Sequence, residues 1–81
     1  MPEVKKALAV HERAEERAQE SAKEIRWRGQ AVLGRAILAE REANGTKVEV
    51  IAREIGRTRE QVRRYQVAYR DWLKGHDGAE P

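Results

Sequence analysis

Two helix-start signals twelve residues apart constrain this chain more than any other feature. Thr46-x-x-Glu49 and Thr58-x-x-Gln61 both have capping-box spacing, in which the Thr oxygen accepts from a free backbone N–H and the residue three positions on reaches back to the cap. A helix-closing signal stands before each: Asn44-Gly45 and then Gly56 suit the left-handed conformation that other residues resist. Between the two signals the sequence predicts a short helix, Lys47 to Ile55, with Val48, Ile51, Ala52 and Ile55 on one face. After them it predicts a helix from Thr58 to about Lys74, with an apolar stripe of Val62, Tyr65, Tyr69, Trp72 and Leu73. Helices joined by so tight a turn cross steeply, and a third helix must cover the apolar corner they make. Leu33 and Ile37 are the residues expected to supply that cover.

Ahead of this corner, Pro2 suits a first helical turn, and no further proline occurs from Val4 to Ala43. The stretch is rich in Ala, Glu, Arg and Lys and reads as one long helix. Val4, Leu8, His11, Glu15, Ala18, Ala22, Ile25, Gly29, Val32, Ala36, Ala39 and Ala43 follow one another at alternating four- and three-residue spacing, the seam of a heptad repeat, of which Val4, Leu8, His11, Ala18, Ala22, Ile25 and Val32 are the expected contacts. Gly29 and Gly34 mark either a break near Arg28 or sites of close helix approach, and continuity is the expectation. The fold expected is therefore all-α with three helices in total: a long N-terminal helix followed by a compact pair. Residues 1–28 form a helical arm, 29–75 the domain and 76–81 a disordered tail. The arm reads as a homodimerisation device through the seam residues, with a docking helix for another protein and a plain solvated helix as alternatives.

Composition removes several classes of function. The 81 residues contain no Cys, which rules out disulfides, thiolate metal sites and Cys nucleophiles. The only histidines, His11 and His76, stand far apart, and no nucleophile triad or Gly-rich phosphate loop is present. The expectation is no enzyme, no cofactor, no metal and no small-molecule substrate. No apolar run approaches the roughly 20 residues of a membrane span, and no basic-then-apolar leader is seen, so a cytoplasmic protein with no membrane partner is expected.

Charge points elsewhere. The chain has 17 Lys plus Arg against 14 Asp plus Glu, a net of +3, but residues 45–75 alone hold eight basic and four acidic side chains. Arg57, Arg59, Arg63, Arg64 and Arg70 cluster there, a footprint for a polyanion or simply a solvated helix face.

The stretch Val48 to Val67 resembles the helix-turn-helix family of DNA-binding domains. Ala52 stands where the family needs a small residue at the helix crossing, Gly56 at the turn and Val62 at the buried site of the second helix; Ile51 and Ile55 also fit. Tyr65 departs from the pattern, standing where Ile, Val or Leu is usual. The resemblance implies that the helix from Thr58 enters the major groove of double-stranded DNA with its N-terminal residues at base edges. Arg59, Glu60, Arg63 and Arg64 are then the base contacts, Arg by donating two bonds to guanine and Glu by accepting from cytosine. Thr46, Lys47, Arg57 and Thr58, near helix N-termini, would meet phosphates, and Arg70 either reaches a flanking phosphate or stays solvated. Gln61 is expected to serve the cap before any base. The arm with Trp27, Arg28 and Gly29-Gln30-Ala31-Val32-Leu33-Gly34 also looks like small DNA-binding proteins of phages and mobile elements. That implies a nucleoid-associated transcriptional regulator, the alternative being a helical protein-interaction adaptor without DNA binding.

Overall fold

The computed structural model describes residues 1–17 and 23–81, the side chains of 14–17 excepted. All the regular structure among them is helical, in four elements: α1 (Pro2–Arg17), α2 (Lys23–Asn44), α3 (Val48–Ile55) and α4 (Arg59–Gly75). The all-α expectation holds, but the long first helix does not: two helices stand where one was expected, and α1 packs against α2. A straight helix cannot pack against its own continuation. The reason lies in the face that α1 presents. Val4, Ala7 and His11 are buried and Leu8 is half-buried, at the three- and four-residue spacing of an ordinary amphipathic helix. That spacing serves a seam between copies and a face on the chain's own core equally well. Here Val4 and Ala7 join Leu33, Ile37, Ile51, Ala52, Ile55, Val62 and Tyr65 in one cluster, so α1 belongs to the core rather than to an arm.

α2 is the central element, packing on α1 along one side and on α4 along another. It runs unbroken through Gly29 and Gly34. Gly34 is where α4 comes closest: a Cβ there would run into the Tyr65 carbonyl oxygen and stand 3.0 Å from the Tyr69 Cβ. Close approach, not a helix break, is the use of this glycine. Further along the same contact, buried Gln66 of α4 accepts from Arg41 Nη1 of α2 at 2.6 Å, which satisfies a polar group that would otherwise be costly in the core.

The other end of the α2–α4 contact is aromatic. Trp27 meets Trp72 edge-on with ring centroids 5.0 Å apart and donates its indole N–H to the Ala68 carbonyl at 3.2 Å. Packing is thus the role of Trp27. Residues 76–81, expected to fray, are instead held against this end. The His76 ring stacks on Trp72 at 3.8 Å, Arg28 Nε donates to the Pro81 carbonyl at 2.9 Å, and the Tyr69 hydroxyl donates to Glu80 at 2.8 Å. Arg35 adds an ion pair to Glu80 at 3.6 Å. A turn through Asp77 and Gly78, both at positive φ, brings the acidic end back to these donors.

The Tyr69–Glu80 link has a measurable signature. Burial first, then the hydrogen bond to Glu80 and that carboxylate's charge, push the Tyr69 phenol above its ordinary range. A raised pKa means a contribution to stability fully present below the unfolded value of about 10, and lost as pH rises through the folded one. In an absorbance titration of a Tyr65→Phe background, Tyr69 is expected to ionise above the pH of free tyrosine, and Glu80→Gln to bring it down. An unchanged titration in Glu80→Gln would show that the tail does not sit on Tyr69.

Candidate nucleic-acid interface

α3 ends at Gly56, whose φ of 67° and ψ of 37° are left-handed, and the Arg57 N–H closes the helix by donating to Ala52 O at 2.9 Å. Three residues, Gly56, Arg57 and Thr58, then separate the two helices. Thr58 caps α4 reciprocally: its hydroxyl accepts from Gln61 N at 3.1 Å, and its own N–H donates to Gln61 Oε1 at 2.9 Å. Gln61 therefore serves the cap. The N–H groups of Arg59 and Glu60, lacking partners one turn back, face out of the helix end. Inside the corner Ile51, Ala52, Ile55 and Val62 are all buried, as their spacing predicts. Tyr65 is buried as well, its ring edge-on to His11 of α1 at 5.3 Å, so the larger side chain is accommodated by the helix that the sequence reading placed elsewhere.

The start of α3 differs from expectation. Lys47 occupies the cap position and makes no side-chain cap bond, so the Thr46–Glu49 box does not form. Thr46 is drawn away by Glu40, one turn back on α2: its hydroxyl donates to Glu40 Oε2 at 2.7 Å, and Asn44 Nδ2 donates to the same oxygen at 2.8 Å. These two donors, Thr46 first, hold the Glu40 carboxyl below the usual carboxylate range. Glu49 is left to pair with Arg59 at 3.8 Å across the turn. Gly45, at φ 64°, ends α2 as expected, its N–H donating to Arg41 O at 2.9 Å.

On α4 the face turned from the core carries Arg59, Glu60, Arg63, Arg64, Val67, Arg70, Asp71 and Lys74, every one exposed. The four expected base contacts thus share one surface at the start of the helix. Their electrostatics are unequal. Arg64 is tied to Glu60 at 2.9 Å and Arg59 to Glu49, whereas Arg63 and Arg70 make no ion pair among the described residues. Exposed pairs of this kind are worth little, on the order of 0.5 kcal/mol, and exchange readily for a stronger anion. Of the expected phosphate contacts, Lys47 is exposed and Thr58 is engaged in its cap. Thr46 is half-buried on Glu40. Arg57 is half-buried, its guanidinium 3.2 Å from Glu12 of α1.

Two contributors lie outside the sequence reading. Glu12 fixes Arg57, and Lys5 meets Glu54 at 3.6 Å, so α1 holds the end of α3 and the turn after it by charge. No local signal pairs residues 45 positions apart. Val67 is the other, and its signal was available: it stands four residues after Arg63 on the same face.

The expected dimer residues do not form one surface. Val4 and His11 are buried in the chain's own core, Leu8 and Val32 are half-buried beside it, and Ile25 is exposed; Ala18 and Ala22 lie outside the described residues. Among the described residues no group of three or more His, Asp or Glu could hold a metal ion, and no helix is long and apolar enough to cross a membrane.

Fold and surface together define a small all-helical domain with one arginine-rich helix face. No known protein family, curated protein or solved structure matches the chain.

Proposed function

We propose that the protein binds double-stranded DNA sequence-specifically, laying the exposed face of α4 into the major groove, and that it acts as a transcriptional regulator. The observation that carries the reading is Arg63. It stands near the centre of that face, one turn into a helix projected by a three-residue turn, without an acidic partner among the described residues. A groove about 12 Å wide admits one helix, and an unpaired guanidinium can donate two hydrogen bonds to guanine O6 and N7. In this reading Arg59, Glu60 and Arg64 flank it as further base contacts, and the exposed Arg70 and Lys47 meet phosphates. The regulatory role, control of a phage or mobile-element promoter, rests on the resemblance of Val48 to Val67 and of Trp27 to Gly34. A homodimer joined through α1 is not part of this reading, because Val4 and His11 are buried within the protomer.

Selection of bound duplexes from a random library at physiological salt tests it, since non-specific affinity is weak there. One enriched site is expected. Arg63→Ala should then cost about 1 to 3 kcal/mol and relax preference at one base pair, whereas Arg70→Ala should weaken all sequences alike and reduce the salt slope by about 1. Absence of enrichment would overturn the reading in favour of a protein adaptor or a non-specific binder.

A further inference from the structure

Between Arg63 and Arg70, on the same exposed face of α4, stands a valine. Val67 is 51% exposed, more than Val10, Ile25 or Val50, the other large apolar side chains left open to solvent. It falls four residues after Arg63, three after Arg64 and three before Arg70, so the four side chains crowd one patch away from the core. Among the described residues it belongs neither to the buried core nor to the half-buried side chains packed on it. The buried stripe of α4, Val62, Tyr65, Gln66 and Trp72, lies on the far side of the helix. A β-branched residue also costs helix stability where it gains no packing, so its position contributes little to the fold itself.

We infer that Val67 reads the 5-methyl group of a thymine beside the base pair contacted by Arg63. The inference rests on the DNA-binding reading and adds a chemistry to it. In the major groove the thymine methyl is the one apolar feature on a base edge, and small apolar side chains are its natural complement. Arg63 lies one turn nearer the helix start, so when it reaches guanine, Val67 lies over an adjacent step. The isopropyl group then covers the methyl, and each loses its water. A pyrimidine without the methyl leaves a gap there. Methylated cytosine carries its methyl at the same ring position and presents the same apolar surface to Val67.

The test begins with the duplex selected by the wild-type protein from the random library. Each thymine in it is replaced singly by deoxyuridine, which removes only the methyl. One position is expected at which wild-type affinity falls about fourfold, the factor that corresponds to one buried methyl. Val67→Ala, an exposed substitution that favours the helix, should bind thymine and uracil there equally. A cytosine at that position should bind better when 5-methylated, again only with Val67 present. Uracil tolerated at every position by the wild type, or a methyl effect that survives in Val67→Ala, would overturn the inference and leave sequence-specific binding standing. Failure to select any duplex would overturn both.

Discussion

Replacing Gly34 with Ala lowers the midpoint of thermal unfolding by about 10 °C, although by helix propensity alone the same change should raise it. The two effects have opposite signs, which makes the outcome decisive. Ala in a helix interior is favoured over Gly by about 1 kcal/mol. Against that, the new Cβ meets the carbonyl of Tyr65, a backbone group, 2.6 Å from its carbon atom. A side chain at the contact could rotate away, but a carbonyl in the middle of α4 moves only with the helix. α2 and α4 must separate, and the contact between them holds Gln66 on Arg41, Trp27 on Ala68 and the buried faces of Leu33 and Tyr65. Overpacking of this kind costs about 3 kcal/mol, leaving a net loss of about 2. A domain of this size loses about 4 to 8 °C per kcal/mol. A midpoint unchanged or raised in Gly34→Ala would mean that α4 does not cross α2 at this glycine.

What was legible in the sequence is what local chemistry decides. Gly45 and Gly56 adopt the left-handed conformation expected of a glycine that closes a helix, and the Thr58–Gln61 box forms between two residues whose side chains make no other hydrogen bond among the described residues. Thr46 carries the same local signal and does not cap, because Glu40, a turn earlier on α2, offers its hydroxyl an ionised acceptor. The misreading of the first half has a different cause. A seam at three and four spacing states that a helix face is apolar, not whose surface covers it, and α1 meets the core of its own chain. Contacts of long sequence separation, Glu12 to Arg57 or Arg28 to Pro81, leave no trace in any short window. The exposed arginines of α4 were legible because a face that packs on nothing is simply the complement of the apolar stripe.

Val4→Asp is expected to unfold the protein at every concentration. Val4 is 0% exposed and sits in the cluster with Leu33, Ile37 and Ile51. A carboxyl group there has lost its water and stands in a cluster of aliphatic side chains and the Tyr65 ring, at a cost of about 4 kcal/mol. Domains of about this length are stable by roughly 4 to 12 kcal/mol, and the lost burial of the valine side chain costs about 2 more, so half of the margin or all of it is consumed. Ile25→Asp is the companion substitution, since Ile25 lies on the same heptad seam but is 46% exposed. A change at so open a site should alter stability by no more than about 0.5 kcal/mol. A dimeric arm predicts something else: either substitution would halve the sedimenting mass while the domain stayed folded. Circular dichroism with sedimentation on the two variants separates the cases. Loss of helix in Val4→Asp alone places α1 in the core, where it closes the corner that carries α4; a folded, half-mass Val4→Asp would return α1 to the role of an arm.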